Sequence, residues 1–268
     1  MKHEEFFRTH PVFTSADLEA YLTSTGTVGA RTQEALLAYH KKAGHLILLR
    51  RGLYAVVPQG ANPARFSVDP YLVATRLADN AVLAYHTALE FHGRAYSVYN
   101  QFTYVASQPT TPLTISSQSF RGVRPPRTLL SAGQQTFGVV TADRAGMYLR
   151  VTSFERTLVD VLDRPDLTGS WEEIWRSLEM VEFFNLDRVI DYVVLLDNAT
   201  TAAKVGFFLE QHSEALMVDE HHLKRIESLG PRQPHYLDRG KRESGRLIPR
   251  WNLVVPPEVL SRSWGEVL

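Results

Sequence analysis

Apolar positions recur every three or four residues along three short stretches at the start of the chain and then become continuous on either side of a glycine. That pattern predicts three helices followed by a hairpin. The first helix is expected over about Lys2–Thr9, with Phe6 and Phe7 inward. Thr14, with Asp17 three residues on, reads as the N-cap of a second helix, whose Ala16, Leu18, Tyr21 and Leu22 would face inward. Ser24-Thr25-Gly26-Thr27 breaks it. A third helix is expected over about 29–43, with Leu36, Leu37 and His40 on one side and Gly44 as its stop. The apolar runs 46–49 and 53–57 flank Arg50-Arg51-Gly52, as two strands around a tight turn do. Three helices and a hairpin, in residues 1–58, are the order of a winged helix-turn-helix.

Residues 59–68 (QGANPARFSV) hold few large apolar groups and are expected to link this unit to a second one at 69–268. There, Tyr71, Leu72, Thr75 and Leu77 predict a helix, and His86–Phe91 another. Strands are expected over 102–106, 113–116, 136–140 and 147–151. The stretch 117–135, with Arg121, Arg124 and Arg127 around Pro125-Pro126, reads as a long exposed loop. From Thr152 the pattern turns helical. Thr152 and Glu155 read as a capping box ahead of the stripe Phe154, Leu158, Val161, Leu162, which Pro165 ends. Ser170 and Glu173 form a second box, leading Trp171, Ile174, Trp175, Leu178 and Val181. Asn185 caps a third helix, and a fourth is expected over 201–212. After 230, prolines at 231, 234, 249, 256 and 257 prevent long elements, and 251–255 reads as one late strand. The fold class is therefore α+β: a winged helix-turn-helix, then a larger mixed α/β domain with a helical second half.

Composition changes this picture in one respect. The 268 residues carry 29 basic and 29 acidic side chains, a formal net charge of zero. By segment, residues 1–152 carry +6, residues 153–230 carry −9 and residues 231–268 carry +3. DNA would repel the middle segment, which suits a basic protein partner instead. Cysteine is absent, excluding disulfides, thiol nucleophiles and cysteine-ligated zinc. The start MKHEEFFRTH lacks an apolar run of signal-peptide length, and no run approaches a membrane span, so a cytoplasmic protein without membrane contact is expected.

Phosphate-loop, dinucleotide-binding, nucleophile-elbow and zinc-protease signatures are all missing, as are the Glu-x-Lys and Asp-x-Lys pairs of common metal nucleases. No enzymatic activity and no cofactor are expected. His86 and His92, six apart, read as structural, and His221-His222 as surface histidines. Arg156 and Asp160 are expected to pair on a solvated helix face, which disfavours a metal site at Asp160, Asp163 and Asp166.

Nucleic-acid binding fits better. The second helix of a helix-turn-helix pair enters the major groove, and its first residues meet base edges. Here these are Thr27, Arg31, Thr32 and Gln33. Arginine pairs with guanine, glutamine with adenine, and threonine takes a phosphate or a thymine methyl. Lys41 and Lys42 either touch phosphate or complement the helix C-terminus. Arg50 and Arg51, at the wing tip, suit the backbone or minor groove. From Arg31 to Gly52 five basic residues stand against one acid, Glu34. The plainer alternative is a winged helix used for protein contact.

RRGLYAVVP in the hairpin, YHTALEFHG followed by YVAS, and VTSFERTLVDVLDRP followed by WEEI resemble AbiE-type antitoxins of abortive-infection, type IV toxin–antitoxin systems. The resemblance spans about residues 1–215. It implies a transcriptional repressor that autoregulates its operon by binding promoter double-stranded DNA, with Arg31, Thr32, Gln33, Arg50 and Arg51 at the interface. It also implies neutralisation of a cognate nucleotidyltransferase-like toxin by the C-terminal domain, through direct contact or indirectly. Two other functions compete with it: a winged-helix regulator whose second domain senses a small ligand, with no toxin, and an enzyme fused to a DNA-targeting module.

Overall fold

The structure is a computed structural model that describes residues 2–26, 30–238, 240 and 245–264. The chain begins with helix α1 (Lys2–Thr9), strand β1 (Val12–Thr14), helices α2 (Ser15–Ser24) and α3 (Ala30–Lys42), and strands β2 (Leu46–Arg50) and β3 (Leu53–Val56). The strands form an antiparallel sheet in the order β1-β3-β2. This is the winged-helix order, with one strand more than the sequence pattern predicted. β1 is only three residues long, too short to show a period. Its last residue, Thr14, also caps α2: its hydroxyl accepts from the Asp17 amide at 3.1 Å, and its own amide donates to the Asp17 carboxylate at 2.7 Å. Phe6, Phe7, Phe13, Leu18, Leu22, Leu37 and Leu46 fill the space between the helices and the sheet. Ala16 is exposed instead of inward.

Next come α4 (Pro70–Thr75), β4 (Val82–Leu83), α5 (His86–Phe91), β5 (Gln101–Val105), β6 (Leu113–Ile115), β7 (Gln118–Val123), α6 (Arg127–Ser131), β8 (Val139–Arg144) and β9 (Met147–Thr152). Their six-stranded sheet runs β6-β7-β5-β4-β9-β8, parallel at β5–β7 and β4–β9 and antiparallel elsewhere. The expected loop over 117–135 is therefore corrected. It holds β7, inside the sheet, and α6. Polar QSFRGV has a single large apolar residue, and pairing with β5 overrides its weak pattern. Phe120 is buried and stacks on Phe102. Val12, Leu53 and Ala55 of the small sheet share one core with Val68, Leu72 and Val73, so the winged helix is seated directly on α4.

The remainder is helical: α7 (Phe154–Asp163), a 3-10 turn (Pro165–Leu167), α8 (Trp171–Glu179), α9 (Leu186–Leu196), α10 (Ala199–Gln211) and α11 (Glu220–Glu227). It closes with β10 (His235–Tyr236), β11 (Arg246–Ile248), β12 (Leu253–Val255) and α12 (Pro257–Ser261), the strands ordered β10-β12-β11. Trp175, Phe208 and Trp251 are fully buried at its centre. Gly206 lets α10 meet the Trp251 ring, since a Cβ there would overlap the indole. The sequence pattern missed α11, whose EHHLKRIE buries only Leu223 and Ile226.

Two caps differ from expectation. Ser153, not Thr152, caps α7, because Thr152 belongs to β9. Glu155 reaches out to the Asn185 amide at 3.2 Å. Ser170 does cap α8 through the Glu173 amide, but the Glu173 carboxylate turns away to other partners.

The Arg156–Asp160 pair is also corrected: it is buried, not solvated, at 1 % and 2 % exposure. Arg156 Nε donates to Asp160 at 3.2 Å, and its Nη1 donates to the carbonyls of Gln135 and Phe137. The Tyr192 hydroxyl donates to the second Asp160 oxygen at 2.6 Å. At 3.6 residues per turn Arg156 lies opposite the stripe of Phe154, Leu158, Val161 and Leu162, which is why the pair reads as solvated. What buries it is the turn at 135–138, folded over α7 so closely that a Cβ on Gly138 would come within 2.8 Å of the Arg156 Cβ.

Candidate nucleic-acid interface

α3 is held at its inner face by Leu37 and His40, both buried, and by half-buried Leu36. At 3.6 residues per turn the opposite face carries Arg31, Ala35, Ala38, Tyr39 and Lys42, all exposed, with Thr32, Glu34 and Lys41 flanking. The two alanines lie at the middle of this strip, between cations at its ends. Short side chains there let a helix approach a groove floor closely while Arg31 and Lys42 reach outward. Sequence inspection passed over the alanines and Tyr39, which is 66 % exposed, although the helix period alone places them on this face.

The predicted contact residues separate into three groups. Arg31, Thr32, Lys41, Lys42 and Arg51 are exposed, on α3 and on the turn between β2 and β3. Gln33 and Arg50 are half-buried and engaged within the protein. Gln33 Nε2 donates to the Ser15 carbonyl at 2.6 Å, tying α3 to the start of α2. That position was legible, because residues 33, 36, 37 and 40 share one helical face. Arg50 Nη2 donates to the Leu77 carbonyl at 3.2 Å, just past α4. The β2–β3 register shifts between Leu48 and Arg50, which sets Arg50 apart from the regular hairpin face. A weaker tie, Arg76 to Asp17 at 3.8 Å, joins the same two units. Thr27 lies outside the described residues.

Gln33→Ala is expected to destabilise the protein by about 1 kcal/mol, because it leaves the Ser15 carbonyl without its side-chain donor. If α3 reads DNA, Gln33→Ala should weaken binding evenly across sequences, whereas Arg31→Ala should relax base preference. Selection of bound sequences from a random pool, run on both variants, checks the contrast.

Away from this face, a cleft of about 1340 Å³ opens between the 3-10 turn, the N-terminal ends of α8 and α10, and β10. Asp163, Asp166, Glu172, Asp238 and Glu258 line it. Two basic residues also line it, and both are engaged: Arg164 with Asp166, and Lys204 with the Leu162 carbonyl. Among the described residues, no three His, Asp or Glu side chains gather to hold a metal ion, and no helix is long and apolar enough to cross a membrane.

These elements define a mixed α/β protein whose first part has the winged-helix arrangement. No protein-family model matches the chain, and no curated protein matches it. Among solved structures it is similar to the crystal structure of the RV2827C protein from Mycobacterium tuberculosis. The two share 18 % identity, with 94 % of this chain and 89 % of that chain covered and a TM-score of 0.59. At that identity the likeness concerns the fold.

Proposed function

We propose that this protein is a cytoplasmic, non-enzymatic antitoxin of a type IV toxin–antitoxin system. In this account it represses its own operon by binding promoter DNA through α3 and the wing, and its C-terminal part counters a nucleotidyltransferase-like toxin. The observation that carries the DNA-binding half is the exposed strip of α3, cations at both ends and alanines between, beside exposed Arg51. Arg31 and Thr32 would read bases, and Lys41, Lys42 and Arg51 would hold phosphates. Gln33 and Arg50 would position the reading head without touching DNA. The antitoxin half rests on the motif resemblance over residues 1–215. Co-expression of the full chain with the nucleotidyltransferase encoded beside it should rescue growth, and an α3-face variant that cannot bind DNA should rescue equally. Failure of the full chain to rescue removes the antitoxin half alone.

One observation favours a second reading, a ligand-sensing regulator: the acidic cleft is large enough for a small molecule. An adjacent gene with no nucleotidyltransferase, together with a small molecule that releases the protein from its promoter, would favour that reading.

A further inference from the structure

His86 opens α5 inside the protein, 2 % exposed, with the Tyr99 ring stacked on it at 3.9 Å and 12°. Its two ring nitrogens face two carboxyl groups. Nε2 lies 3.1 Å from Glu173 Oε1, on α8. That same oxygen accepts from the Ser97 amide at 3.0 Å and from the Ser177 hydroxyl at 2.9 Å. An oxygen so surrounded by donors is an ionised one, and Nε2 must carry the hydrogen that points at it. The other nitrogen, Nδ1, is then a bare acceptor. It lies 3.7 Å from Glu90 Oε2, and both atoms are buried without any hydrogen-bond partner. Two acceptors facing each other out of water are unfavourable unless a proton lies between them.

We propose that His86 and Glu90 hold one proton between them, forming a proton-binding site that locks α5 and the segment 92–100 against α8. The proton resides on Glu90 and is donated to Nδ1 once the two atoms close from 3.7 Å to hydrogen-bond distance, so the chain of groups runs Glu90–His86–Glu173. The largest influence on both His86 and Glu90 is burial, which disfavours charge on either. Burial lowers His86 against the pull of Glu173 and Ser97. Burial raises Glu90, and the Glu173 charge adds to this, against bonds from Tyr71 and Tyr99. Glu173 is held below the ordinary carboxyl range despite its burial, by Ser97, Ser177 and His86. From α4, the Tyr71 phenol is raised by burial and then by Glu90. Tyr99, over the imidazole, is raised by burial and then by Glu173. Arg144 lies over the Tyr71 ring and pairs with Asp69 at 2.7 Å. The backbone at the site is strained as well: Tyr85, just before His86, has φ of 58°. A bulky residue keeps that conformation only where its surroundings impose it.

The lock has a pH signature. In the unfolded chain His86 takes a proton below its ordinary 6.5, and Glu90 takes one below its ordinary 4.5. Between these values the folded and unfolded pairs of the wild type each hold one proton, so the pair adds no slope. Above 6.5 only the folded pair keeps its proton, and stability falls as pH rises until that proton leaves. In Glu90→Gln the amide donates to Nδ1 permanently. The folded pair then needs no proton, and the variant loses stability as pH falls below 6.5. The folding constant of the full-length variant, divided by that of the wild type, should therefore rise about tenfold per pH unit from pH 5 to 7. Urea titrations at each pH measure it, and a ratio that stays constant overturns the proposal. Nitrogen NMR of histidine-labelled wild-type protein reads the same site without a variant. His86 should stay protonated on Nε2 alone, with Nδ1 accepting a hydrogen bond, from pH 5 to 7. An imidazole that charges with a midpoint near 6.5 overturns the proposal too.

Discussion

Asp160→Ala should cost about 3–5 kcal/mol of folding stability, because it leaves the Arg156 guanidinium charged and buried without its counter-ion. Two carbonyl acceptors, from Gln135 and Phe137, remain, but neither carries a full negative charge. Burial pushes the Asp160 carboxyl up against the pull of Arg156 and Tyr192, while Arg156, whose burial lowers it, is raised by Asp160. The contact geometry decides between these pulls. A guanidinium at 3.2 Å and a phenol donating at 2.6 Å keep the carboxylate ionised. The double variant Arg156→Met/Asp160→Leu removes both charges and should lose much less than Asp160→Ala. Urea denaturation of the single and double variants gives both numbers. Equal losses would mean that packing of residue 156, not charge, holds the 135–138 turn on α7.

Combined replacement of Arg31, Lys42 and Arg51 by alanine should abolish promoter recognition while leaving the fold intact, since all three side chains are exposed. The effects are of two kinds. In the proposed interface, loss of Arg31 would remove a base contact of about 1–3 kcal/mol and its discrimination. Loss of Lys42 and Arg51 would remove the two proposed phosphate contacts, and the salt dependence of binding should shallow by about 2 in logarithmic slope. Arg50→Ala is the instructive control. Its guanidinium is bound to the Leu77 carbonyl, so its loss should leave the salt slope unchanged. A slope that drops by one with Arg50→Ala would show that this side chain swings out to the phosphate backbone.

What the sequence makes legible follows the strength of its local signals. Capping residues were readable at Thr14, Ser170 and Asn185, where a short polar side chain precedes an apolar stripe, but the cap of α7 is Ser153, one residue past the expected Thr152. α8 followed from its Ser170 cap and its apolar stripe together. β7 was not readable, because its pairing with β5 and not its composition makes it a strand. Arg156–Asp160 looked like an ordinary surface pair at helical spacing, since the 135–138 turn and Tyr192 of α9, which cover it, are distant in sequence. The interface divides in the same way. Exposure of Arg31, Lys41 and Lys42 follows from the helix period, and so does the inward turn of Gln33. The tie of Arg50 to Leu77 depends on how the winged helix sits on α4, a long-range contact without a local signature. His86 and Glu90 share a helix four residues apart, but Glu173, which fixes the tautomer, is distant in sequence and close only in the fold.

The central claim is that the face of α3 with the wing reads a particular DNA sequence. Its most direct measurement is a fluorescence-anisotropy titration of the full-length protein at about 0.15 M salt, the physiological ionic strength. One probe is the duplex upstream of its own coding sequence, and the other is a scrambled duplex of equal length and composition. The account predicts binding to the upstream duplex at least about 10³-fold tighter than to the scrambled one. It also predicts that the Arg31, Lys42, Arg51 triple variant loses that preference. Equal affinity for the two duplexes, or a preference that survives the triple substitution, would contradict it.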